Sequence, residues 1–255
     1  MVGVLIAILI ALLVKHNKQS EQTFILLKNP LKLENQRLTL LKQSQVWFIA
    51  FSYAMIYFSL EYFSENEGKH LLMSKGFSST FASYMITLAW LGFAIGSPLF
   101  GYLSDRISRR KPLLIFSATI TFLSLIGIIY LPLTKLGALI TFFIYGLSIG
   151  SSSIGIAIMA EQFKFDNIST GIGIKNTVTI MFISIMAPVV SYLLTLTSNN
   201  THYTLIDFQQ VFLLIILFPL IALLFYTFKV RETYCRSTKE AIILSNKNAS
   251  TSNSL

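Results

Sequence analysis

Six stretches of this chain stay apolar for about the length a helix needs to cross a bilayer, and that leaves little choice of fold. They run from Val46 to Phe63, Ser79 to Leu103, Leu113 to Leu133, Gly137 to Ala160, Gly171 to Leu196 and Val211 to Lys229. A hydrocarbon core about 30 Å thick takes roughly 20 mostly apolar residues as a helix. Backbone groups in lipid find no water to bond, so spanning segments of this length are helical. The expected fold is therefore an all-α membrane protein with a six-helix transmembrane bundle over residues 46–229. Composition agrees: 54% of residues are hydrophobic and 12% charged, too few charges for an ordinary soluble surface.

A seventh apolar segment, Val2 to Val14, is too short to span. No Lys or Arg precedes it, unlike the start of a secretory signal peptide. Its apolar character begins at Met1, so residues 1–14 read as the tail of a truncated transmembrane helix, with a re-entrant or interfacial segment as the alternative. Residues 15–45 form a basic linker whose Phe24, Ile25, Leu26, Leu27 and Leu31 sit among Lys28, Lys32 and Arg37. That mixture fits either a surface-lying amphipathic helix, interrupted at Pro30, or a solvated connector. Residues 230–255 form a polar tail of low apolar content, expected to be disordered.

The net charge of +9 describes topology rather than affinity for nucleic acid. Lys15 to Gln45 carries six Lys and Arg against two acids, Ser104 to Lys111 four against Asp105, and the tail from Lys229 five against two. The intervening loops are near neutral: Ser64 to Lys75 sets Lys69 and Lys75 against Glu65 and Glu67, Thr134 to Leu136 holds only Lys135, and Thr197 to Gln210 only Asp207. Alternation of this kind places the linker, the Ser104 loop and the C-terminus in the cytoplasm. The loop from Glu161 to Thr170 is uninformative in charge and joins that side by parity. Cys235 is the only cysteine, so no intramolecular disulfide or cysteine-based metal site is possible.

Within the helices, Gly92 and Gly96 form one GxxxG pair and Gly146 and Gly150 another, read as ordinary helix packing in preference to a dimer face. Pro98, Pro188 and Pro219 lie inside apolar runs and are expected to kink or break them.

Between the second and third spans stands Gly101-Tyr102-Leu103-Ser104-Asp105-Arg106-Ile107-Ser108-Arg109-Arg110-Lys111-Pro112. A positive-inside loop accounts for the basic residues but not for Gly101 and Asp105 at their spacing. The run resembles the signature loop of the major facilitator superfamily in both residues and location. The resemblance implies that Gly101 permits close helix contact and that Asp105 pairs with Arg106 or a neighbouring helix N-terminus. It implies that Arg106, Arg109, Arg110 and Lys111 bind carboxylates or lipid phosphates, and that the loop braces the cytoplasmic side and loosens as the transporter changes state. Ser108 replaces the family's Gly, which puts the tight turn in doubt. Ala160-Glu161-Gln162-Phe163 with Ser169 to Gly173 resembles the connection between helices ten and eleven in symporter branches, lacking its usual Pro and Arg. Leu88 to Gly92, Lys111 to Leu114 and Gly173 to Asn176 are similar to stretches of nutrient-uptake facilitators of intracellular bacteria.

On this resemblance the chain corresponds to the end of helix six through helix twelve of a twelve-helix transporter, its C-terminal half. The expected function is secondary active transport of a small organic solute, by proton-coupled nutrient uptake and alternating access, in a bacterial inner membrane. A half supplies one wall of a midplane site, so it requires a separately encoded N-terminal half or a second copy. The rival is a non-transporting scaffold or the remnant of a decayed gene.

Ionisable residues within a span are functional candidates by default. Glu61 sits near the outer end of the first span, as a proton acceptor or simply emerging into water. Lys175 sits near the start of the fifth, where snorkelling to the interface is the simpler expectation. Asn176 could bond a substrate or a helix, and Tyr53 and Trp90 could line a cavity or pack. His16, His70 and His202 fall in loops. No nucleophile-and-base set, phosphate loop or metal-ligand cluster is present, so the sequence points to no enzyme, no cofactor and no metal.

Overall fold

Apolar helices in lipid gain nothing from hiding apolar surface, so close packing and hydrogen bonds must hold them together. The computed structural model describes residues 42–161, 168–198 and 203–234. All of these belong to one unit, Leu40–Leu255. The short helix expected over 1–14, the linker up to residue 41 and the tail beyond 234 lie outside the described residues, as do His16, His202 and Cys235.

The helices among the described residues are α1 (Ser44–Glu65), α2 (Gly68–Ser74), α3 (Ser79–Ile107), α4 (Lys111–Tyr130), α5 (Lys135–Ile149), α6 (Ser152–Glu161), α7 (Ile168–Thr197), α8 (Leu205–Val211) and α9 (Leu213–Phe228). They make six spans long and apolar enough to cross a membrane, with α5 and α6 forming one span and α8 and α9 another. The chain is a multi-pass membrane protein.

Hydrogen bonds between distant segments sort the helix ends into two groups. At one end, Gln45 at the start of α1 donates through Nε2 to the carbonyl of Lys229, and Arg231 N–H donates to Gln45 Oε1, so chain entry and exit lie together. At the other end, Lys75 donates to the carbonyls of Ile128 and Leu131, and Tyr130 OH donates to the carbonyl of Gln209. An even number of crossings is built into these contacts.

The two GxxxG pairs meet each other. A Cβ placed on Gly146 would lie 1.8 Å from the carbonyl oxygen of Ala89, and one on Gly92 2.4 Å from that of Phe143. One on Gly96 would lie 2.3 Å from the Leu147 oxygen, and one on Gly150 2.6 Å from the Gly96 carbonyl carbon. Helices α3 and α5 thus touch backbone to backbone, and only glycine fits the seam. The aromatic rings of Phe58, Phe182 and Phe218, with centroids 5.1 to 5.7 Å apart, join α1, α7 and α9. Buried hydroxyl pairs add polar links: Tyr145 OH donates to Ser59 Oγ at 2.8 Å, and Ser151 Oγ to Ser117 Oγ at 2.6 Å.

Two expectations need correction. Helices α3, α7 and α9 continue past Pro98, Pro188 and Pro219, so the break allowed for at these prolines does not form. The break falls instead in the fourth span, at Gly150–Ser151, between α5 and α6. There Ser151 bonds Ser117 and Ser153 Oγ donates to the Ser97 carbonyl at 2.9 Å, so side chains from neighbouring helices meet the polar groups around the break. The loop read between Ser64 and Lys75 also contains a helix, α2.

Candidate functional site

The signature loop builds its own geometry. Helix α3 carries Ser104, Asp105 and Arg106 to its last turn and ends at Ser108, which takes a left-handed φ of 54°. The tight turn therefore forms without glycine. That reversal brings Arg110 back beneath α3. Its guanidinium pairs with Asp105 Oδ1 at 2.7 Å, reaches Ser104 Oγ, and donates twice to Glu161 Oε1, at 2.6 and 3.2 Å. The Arg110 side chain is only 9% exposed and Glu161 14%, whereas Asp105 is 67% exposed. Glu161 Oε2 also accepts from Thr233 Oγ1 at 2.5 Å.

A second carboxylate completes the cluster. Glu232 accepts from the backbone N–H of Arg110 at 2.8 Å and of Lys111 at 2.9 Å. These are among the first N–H groups of α4, which have no partner inside the helix and carry its positive dipole end. The end of α3, the start of α4, the end of α6 and the chain leaving α9 are thereby tied at one point.

This corrects the partners expected for the motif. Asp105 bonds Arg110, not Arg106 or a helix N-terminus, because adjacent residues on a helix point roughly 100° apart while the Ser108 turn returns Arg110 to the same face. Arg106 and Arg109 are exposed. Gly101 makes no close helix contact among the described residues, since a Cβ there would meet none of their atoms within 4 Å. Sequence reasoning missed Glu161 and Glu232 as partners. Their only signal was an acid placed just past an apolar run.

A second cluster lies inside the bundle. Tyr53 and Tyr57, one turn apart on α1, stack with centroids 5.7 Å apart. Tyr57 meets Trp90 at 6.4 Å and Phe93 at 6.0 Å on α3. Glu61, one turn beyond Tyr57, lies within hydrogen-bonding reach of its hydroxyl. From α7, Lys175 places Nζ 3.5 Å from the centre of the Tyr53 ring. Lys175 is 1% exposed, so it does not snorkel to an interface. Its neighbour Asn176 is exposed and takes no part. The structure therefore joins Lys175, Tyr53 and Trp90 through Tyr57, with Glu61 at the far end. The i, i+4, i+8 spacing of Tyr53, Tyr57 and Glu61 was the sequence signal for this stripe.

Two spans keep open faces. Only 22% of the apolar stretch of α3 and of α7 is buried, against 44% to 61% in the other four spans. Between α1 and α7 lies an apolar cavity of about 780 Å³ lined by Trp47, Phe51, Met181, Phe182 and Ile185, among others. Among the described residues no group of three or more His, Cys, Asp or Glu side chains could hold a metal ion.

Comparison with known proteins accords with this geometry. The fold matches the partially occluded, inward-open xylose transporter XylE from E. coli at a TM-score of 0.62 and 19% identity, covering 74% of this chain and 50% of that one. It also matches the proton:xylose symporter XylE bound to 6-bromo-6-deoxy-D-glucose at a TM-score of 0.57 and 18% identity, covering 72% and 45%. The chain thus spans about half the length of the transporter it matches. No curated protein matches it. The sequence profile of the Major Facilitator Superfamily matches residues 44–242, most of the chain and all six spans. This chain belongs to the Major Facilitator Superfamily.

Proposed function

We propose that the chain is one six-helix half of a secondary transporter for a small organic solute, acting by proton-coupled uptake together with a second half. The observation that carries this reading is the open face of α3 and α7 beside a bundle whose other four spans are well covered. Gly101 on α3 and Gly173 on α7 would each have open space at Cβ, as a close-packing partner helix requires. The partner is a separately encoded N-terminal half or a second copy of this chain, and the solute site lies between the halves near the midplane.

The Arg110 cluster is the brace of the cytoplasmic side in this reading, in a bacterial inner membrane with both the linker and the C-terminus cytoplasmic. It joins three helix ends through bonds to one side chain, so a rocking motion that withdraws Glu161 or Asp105 breaks the brace in a single step. Glu61 is the proposed proton acceptor, with Tyr57 as its bonding neighbour. Tyr53, Trp90 and Lys175 are the proposed solute-pathway residues, and Asn176, outside their cluster, is proposed only for the face toward the partner half.

The test is uptake of radiolabelled small organic solutes into proteoliposomes under an inward proton gradient. Paired halves, whether with an N-terminal half or as two copies of this chain, are expected to show gradient-driven uptake that Glu61→Gln removes, and the chain held as a monomer is expected to show none. Uptake by the chain without any partner half or second copy, or none with either, would defeat the reading.

A further inference from the structure

Lys175 is the one described ammonium held at 1% exposure within a span, and the described residues give it no counter-charge. Among the described residues no carboxylate lies within ion-pair distance of Nζ and no acceptor takes a hydrogen bond from it; its contact is the Tyr53 ring at 3.5 Å. Glu161 and Asp105 bond Arg110, and Glu61 lies two turns along α1 from Tyr53, about 12 Å away.

A desolvated cation without an anion is costly, and a cation–π contact repays only part of the cost. Such a residue inside a span points to function. Its surroundings describe what it would accept. Tyr53, Tyr57, Trp90 and Phe93 form a continuous, partly exposed aromatic wall. Ser152 at the start of α6 lies within hydrogen-bonding reach of the Tyr53 hydroxyl. The combination is a cation for a carboxylate, hydroxyl donors beside it, and ring faces for an apolar body.

We propose that Lys175 is the charge-selecting residue of the solute site and that the solute is an organic carboxylate with an apolar or aromatic body. This rests on the transport reading above and narrows its substrate class. The ammonium supplies the counter-charge, Tyr53 and Ser152 supply donors, and the Tyr57 and Trp90 rings pack the body. Glu61, at the other end of the stripe, stays out of reach of the carboxylate.

The test uses the full chain in lipid nanodiscs, with benzoate as probe and benzamide as its neutral isostere, by titration calorimetry. Benzoate is expected to bind about ten- to a hundredfold tighter than benzamide, the worth of one charge-assisted hydrogen bond. Lys175→Gln should erase that preference and leave benzamide affinity unchanged, and Lys175→Arg should keep it. Lys175→Gln should melt no lower than the parent, because removing a desolvated charge that serves binding does not weaken the fold. Equal affinity for the two probes, no binding of either, a preference that survives Lys175→Gln, or a large drop in its melting temperature would each overturn the proposal. If benzoate shows no preference while paired halves still drive uptake of another solute, only the carboxylate assignment falls. If the preference behaves as expected and no pairing yields uptake, the transport reading falls and the binding site stands.

Discussion

Removing the Arg110 guanidinium tests whether the brace is held by its buried bond or by its exposed one. In Arg110→Gln, Glu161 loses its guanidinium counter-charge at a site where its side chain is 14% exposed. Stranding a buried carboxylate in this way costs about 3 kcal/mol or more. Asp105, at 67% exposure, sits in water, and an ion pair there is worth at most about 1 kcal/mol. Arg110→Gln should therefore destabilise the purified chain by about 3 kcal/mol, and Asp105→Asn by less than 1 kcal/mol. Arg110→Gln combined with Glu161→Gln should recover part of the loss, because no stranded charge remains. Melting in detergent, with helicity as the signal, reads all four proteins. If Asp105→Asn cost as much as Arg110→Gln, or the double variant were no better than the single, the buried pair would not be the centre of the cluster.

Gly146→Ala should destabilise by about 1–3 kcal/mol, since its Cβ would meet the Ala89 carbonyl oxygen at 1.8 Å, and Gly101→Ala should change melting little; equal shifts would contradict the α3–α5 seam. Ser108→Gly should stabilise by up to about 1 kcal/mol by relieving the left-handed backbone at φ 54°, and a lower melting temperature would argue against that turn. Burial pushes the Lys75 ammonium, outside the spans, down from 10.5 to about 8. Between those values the unfolded chain holds a proton that the folded one has lost. Stability from this group should thus rise with pH from about 8 to about 10.5, and Lys75→Met should flatten the rise.

Much of the fold was legible because lipid imposes a length on apolar runs and charge on their connectors. Six spans, the signature loop and the packing role of Gly92, Gly96, Gly146 and Gly150 all followed from local spacing. What was not legible depended on neighbours far along the chain. Arg110 becomes the hub, ahead of Arg106, because of one residue's backbone at Ser108. Glu232 caps α4 from 122 positions away from Arg110. The fourth span breaks at Gly150–Ser151, where Ser117 and Ser97 on adjacent helices bond the polar groups around the break, while the helices through the prolines continue. Lys175 looked able to reach the interface from sequence position alone, and only packing against Tyr53 shows that it does not.

Sidedness in a membrane tests the central claim most directly. Cysteines placed singly at Arg109, Lys135 and Arg231, with Cys235 replaced by serine, can be labelled with an impermeant maleimide in sealed, oriented vesicles. Six crossings with entry and exit tied through Gln45 predict that positions 109 and 231 react from one face and position 135 from the other. Labelling of 109 and 231 from opposite faces would contradict the bundle, its crossing number and the transporter half built on them.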